Sequence, residues 1–68
     1  MRLPAYREAV EEQLHGNYDV SEDDTAAICR RRSKSIAIRK RRGQNARQTA
    51  ADIASMHELD LLPGDWKP

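Results

Sequence analysis

Leu3, Tyr6, Val10 and Leu14 recur at spacings of three and four, the signature of one apolar helix stripe. Glu8, Glu11 and Glu12 fall off that stripe. Pro4 suits a first helical turn and Gly16 a helix stop, so the pattern predicts a helix over about 3–15. Ser21 with Asp24 three residues later reads as the start of a second helix, over about 22–42. Glu22, Asp23 and Asp24 would sit at the positive end of its dipole. On a helical wheel Thr25, Ile28, Cys29 and Ile36 share one face, Arg32 and Arg39 intrude on it, and Ile38 points away. The expectation is therefore an irregularity near residues 33–35. The alternation of Ile36 and Ile38 would also suit a short extended piece.

Gly43 marks the end of this helix, and Asn45 with Gln48 three residues on marks the next start. The third helix, about 45–58, carries Ala46, Ala50, Ile53, Ala54 and His57 on a narrow face whose small residues let a neighbour approach closely. In the tail, 59–68, Pro63–Gly64 suits a type II turn that would fold Trp66 onto Leu59 and Leu62. Trp66 as core is favoured over Trp66 as an exposed binding anchor. The pattern as a whole predicts an all-α fold, a single small domain of three helices with an irregular or broken second helix.

Composition makes the core thin. Leu, Ile, Val and Phe supply 11 of 68 residues, below the share usual for a well-filled domain. The candidate core is Tyr6, Val10, Leu14, Val20, Ile28, Cys29, Ile36, Ile53, Met56, Leu59 and Leu62. A domain this small gains from dimerisation, so a homodimer is one expected form. Cys29 is the single cysteine, which rules out an internal disulfide. The first residues have no apolar signal-peptide segment, and no apolar run approaches the length of a membrane span. The expected setting is cytoplasmic, with no membrane partner.

Charge changes the picture most. The formal net charge is +1, but it conceals segregation. Residues 1–29 carry two bases against seven acids, residues 30–47 nine bases and no acid, and residues 48–68 one base against four acids. Local pairing four residues apart within the second helix does not absorb the basic block. Helix dipoles favour acids at its start and bases at its end, which accounts for part of the arrangement. The seven N-terminal acids could also pair with the block inside the fold.

The leading functional expectation is a small regulatory protein that binds DNA or structured RNA. Clustered Lys and Arg neutralise phosphates and release counterions, and seven of the nine bases are arginines, which pair bidentately with phosphate or guanine. The candidate contacts are Arg30, Arg31, Arg32, Lys34, Arg39, Lys40, Arg41, Arg42 and Arg47, with Gln44, Asn45 and Arg47 as base readers. Tyr6, Tyr18 and Trp66 all lie outside 29–47, which argues against unstructured single strands, whose binders interleave aromatics with bases. The alternative is a protein-binding modulator, an inhibitor or adaptor, setting the basic block or the acidic first helix against an oppositely charged protein surface. A standard helix-turn-helix fits poorly: with Gly43 at the turn, Arg42 and Thr49 fall where that motif buries apolar side chains.

Other chemistry has little foothold. Cys29, His15 and His57 lack paired metal-ligand spacing. Cys29 on the apolar stripe reads as a small buried hydrophobe rather than a nucleophile. Three glycines, Gly16, Gly43 and Gly64, form no phosphate-binding loop. No enzyme, cofactor or metal is therefore expected. The clusters at 30–34 and 39–42 also match an import signal in composition, and Ser33 follows three arginines as a basic-directed phosphosite would.

Overall fold

The computed structural model describes residues 2–62. It is all-helical, with four helices: α1 Leu3–Asn17, α2 Glu22–Arg31, α3 Ser33–Arg41 and α4 Ala46–Met56. The expected three become four because the long second helix breaks, and it breaks at Arg32 rather than at 33–35. Arg32 adopts φ −99° and ψ 21°. The backbone ladder survives the break: Arg32 N–H bonds the Ile28 carbonyl, and Ile36 N–H bonds that of Arg32 (both 2.9 Å). The irregularity falls on the basic residue that a continuous helix would have turned towards the core. No extended piece forms at Ile36–Ile38.

α1 buries Tyr6, Val10 and Leu14, the stripe seen in the sequence. It passes through Gly16 and ends at Asn17, two residues later than expected. What stops it is the tail: Leu62 N–H bonds the Asn17 carbonyl at 3.0 Å, and Tyr18 forms an isolated antiparallel bridge with Leu61. Ser21 caps α2 by accepting from Asp24 N–H at 3.1 Å. At α4 the box is complete, because Asn45 accepts from Gln48 N–H (2.8 Å) and Gln48 accepts from Asn45 N–H (3.1 Å).

Gly43, at φ 85°, closes α3 with a Schellman pair: Gly43 N–H to the Lys40 carbonyl and Gln44 N–H to that of Arg39, both 3.0 Å. α4 closes in the same way around Glu58, at φ 54°, where Glu58 N–H bonds Ser55 and Leu59 N–H bonds Ala54.

The buried core is Tyr6, Val10, Leu14, Cys29, Ile36, Ala50, Ile53 and Ala54, joined by Thr25 and Thr49. Ala50 and Ala54 let α4 pack closely on α1, the most extensive helix contact in the fold. The expected core needs one clear correction: Met56 is 42% exposed. It ends α4, and the turn after it brings Leu59 onto the core instead. Val20, Ile28, Leu59 and Leu62 are half-buried. The Pro63–Gly64 turn and Trp66 lie outside the described residues.

α1 runs antiparallel to the α2–α3 arm. Its start, at Leu3, lies beside Ala37, Lys40 and Arg41, while Glu8, Glu11, Glu12 and His15 face Glu22, Thr25 and Ala26. This direction decides where the charges meet. No helix among the described residues is long and apolar enough to cross a membrane.

Candidate nucleic-acid interface

The fold consumes part of the basic block and leaves the rest exposed. Arg39 is half-buried and bonded on two sides. Its Nη1 meets Asp52 Oδ2 at 2.8 Å, and its Nε donates to Ser35 Oγ at 3.2 Å. Among the described residues this is the single ion pair. Arg32 Nε donates to His57 Nε2 at 3.1 Å. Lys40 is half-buried, whereas Arg30, Arg31, Lys34, Arg41, Arg42 and Arg47 are exposed.

Of the three expected base readers, Gln44 has its whole side-chain amide bonded within the fold and Asn45 its side-chain oxygen. Gln44 Nε2 donates to Asp52 Oδ2 at 3.0 Å, and Gln44 Oε1 accepts from the Thr49 hydroxyl at 3.2 Å. The Gln44 carbonyl accepts from the Tyr6 hydroxyl at 2.7 Å, and that hydroxyl lies 2.6 Å from Thr49 Oγ1. Asn45 spends its side-chain oxygen on the α4 cap. These residues fix the angle between α3 and α4, while Arg47, in the first turn of α4, stays exposed. Thr49 is buried through this same network, so its polarity is no obstacle to burial; Arg42 stays exposed.

Asp52 and His57 carry no sequence signal as partners of the block, whereas Ser35 is the neighbour of Arg39 one helical turn back. Arg39 and Asp52 are separated by a full turn and half a helix, and only the packing of α3 on α4 joins them.

The N-terminal acids do not neutralise the block. Because α1 and the α2–α3 arm are antiparallel, Glu8, Glu11 and Glu12 meet Glu22 across a groove of about 300 Å³, which also takes in His15, Thr25 and Ala26. Acids thus face acids, and the start of α1 faces the basic end of α3. None of the seven acids forms an ion pair with the block among the described residues, although Asp19 and Asp24 line one hollow with Arg31. Within the block, a second cleft of about 330 Å³ opens at the α3–α4 turn between Arg39, Arg42, Gly43, Gln44 and Gln48.

α3 itself is weakly embedded. It buries Ile36 alone. Its outer face carries Lys34, Ile38, Arg41 and Arg42, all exposed, with Ile38 at 47%. These residues are three or four apart and form one ridge.

Cys29 is buried, and its thiol is pushed up to about 11, first by burial and then by Glu11, against a small opposing effect of Arg7. A thiol so held is a poor nucleophile. No group of three or more His, Cys, Asp or Glu placed to hold a metal ion occurs among the described residues. Comparisons with family models, curated proteins and solved structures found no match.

Proposed function

We propose that the protein binds nucleic acid, DNA or structured RNA, through the exposed bases of the α2–α3 arm and the α3–α4 turn, and acts as a small regulator. The supporting observation is the charge arrangement of the fold. Of nine bases in the block, one is matched by a carboxylate among the described residues. The helix direction sends four of the seven N-terminal acids, Glu8, Glu11, Glu12 and Glu22, to one groove, while Asp19 and Asp24 share a hollow with Arg31 without forming an ion pair to it. Packing like charge against like is a cost that a fold built for internal neutralisation would avoid. It leaves a positive surface with no acid on α3, suited to a polyanion that supplies the missing negative charge.

Arg30, Arg31, Lys34, Arg41, Arg42 and Arg47 carry this reading, mainly as phosphate contacts. Arg32 and Arg39 hold the arm in place, each through a bond to α4 or the turn after it. Lys40 lies beside Leu3 at the rim. Gln44 and Asn45 act by setting the α3–α4 turn rather than by reading bases.

The test is binding to a duplex DNA and a hairpin RNA across a salt series. Six phosphate contacts on duplex DNA correspond to a log–log slope of about −5. Removing any one of the six bases should flatten it by about one. Absence of binding to both at low salt would sink the reading.

A further inference from the structure

We propose that α3 enters the major groove of duplex DNA and that Ile38 reads the C5-methyl group of thymine. The inference rests on the nucleic-acid reading above and narrows it to one partner. Phosphate contacts have no use for an isoleucine. Yet Ile38 stands 47% exposed at the centre of the basic ridge, with Lys34 one turn before it and Arg41 and Arg42 one turn after. On the adjoining flank of α3, Leu3 (44% exposed) and Ala37 line a shallow hollow of about 220 Å³ with Lys40 and Arg41, to which Ile38 does not contribute. The ridge therefore presents one apolar side chain, Ile38, flanked by Lys34, Arg41 and Arg42.

That layout matches the wall and floor of a B-form major groove. The walls are phosphates. The floor presents one kind of apolar group, the thymine methyl, and the groove is about 12 Å wide, enough for a helix. Nine residues of α3 span roughly 13 Å at about 1.5 Å each. The helix is free to enter because it buries Ile36 alone. Arg30 and Arg31 before the Arg32 break, and Arg47 beyond the turn, lie on either side of it in the chain as phosphate contacts. An A-form RNA duplex offers neither feature, since its major groove is too deep and narrow for a helix and its uracil lacks the methyl.

The experiment compares an A·T-rich DNA duplex, the same duplex in which deoxyuridine replaces every thymidine, and a hairpin RNA, across a salt series, by fluorescence anisotropy. The substitution removes only the methyl groups. Wild-type protein should bind the deoxyuridine duplex roughly three- to tenfold more weakly, the range expected for one or two lost apolar contacts. Ile38→Ala should bind the thymidine duplex more weakly and no longer tell the two apart. Ile38 is exposed and mid-helix, so that variant keeps the fold, and its circular dichroism checks this. Equal wild-type binding to both duplexes, with the salt slope retained, would overturn the Ile38 role and leave the nucleic-acid reading standing. Tighter binding to hairpin RNA than to either duplex would overturn it too. No binding to any of them would sink the nucleic-acid reading itself.

Discussion

Cys29 shows how one position can be read at the residue scale. On the sequence it shares a face with Thr25 and Ile36, and in the fold all three are buried. Burial and Glu11 raise its thiol from 9.0 to about 11. The sign of the linkage follows. Between these values the unfolded chain is a thiolate and the folded chain a thiol, so the folded state binds more protons. The stability due to neutral Cys29 is complete below pH 9 and is lost as pH rises towards 11, at about 1.4 kcal/mol per pH unit. Denaturant melts of wild type and Cys29→Ala over this window isolate the effect, because other titrations cancel in the difference. The wild-type slope should be the steeper in the destabilising direction. Parallel curves would refute the assignment.

At the scale of elements, two helix ends share one geometry with different residues. α3 ends on Gly43 at φ 85°, and α4 on Glu58 at φ 54°. A left-handed conformation is free for glycine and costs an L-residue about 1 kcal/mol or more. Gly43→Ala should therefore destabilise by about 1 kcal/mol, and Glu58→Gly should stabilise by a similar amount. Opposite shifts of Tm are the readout. The pairing of α3 with α4 makes a second prediction. Asp52 is 43% exposed and Arg39 24%, so their bond contributes no more than about 1 kcal/mol. Asp52→Asn should thus cost little stability. It should also release the Arg39 charge, tightening polyanion binding and steepening the salt slope by up to about one. Unchanged or weaker binding would show that Arg39 serves structure only.

The elements also show what periodicity can reach. α1 and the face of α4 were legible because Leu3–Leu14 and Ala46–His57 each keep one spacing throughout. Even so, Leu3 lies 44% exposed, since α1 overhangs the core at its start. The break was visible as a conflict on the wheel, which placed it within one residue of Arg32. The wheel does not show the bond Arg32 makes to His57, a partner 25 residues away. Gly16 looked like a stop and is an ordinary helical residue, because the tail beyond α4 decides where α1 ends.

For the whole molecule, charge segregation sets the response to salt. Where surface charges pair with opposites, salt weakens the fold. Here acids line one groove and bases crowd one arm, so screening relieves repulsion. Tm should rise between about 10 mM and 200 mM monovalent salt, over lengths set by a Debye screen of about 30 Å falling to under 10 Å. A falling Tm would indicate that opposite charges dominate. The same salt that steadies the fold should loosen polyanion binding, and the two opposed trends are a compact check on the charge map.

The sequence by itself determined the all-helical class with a broken second helix, the caps at Ser21 and Asn45, the glycine end at Gly43 and the concentration of nine bases within 18 residues. All of these depend on neighbours within a few residues, which is the range over which backbone hydrogen bonding and wheel geometry act. Only the tertiary structure decided which bases remain available. Helix direction placed acids against acids. The α3–α4 packing gave Arg39 to Asp52 and occupied Gln44. Those outcomes depend on which faces of distant segments meet, and no local spacing encodes that.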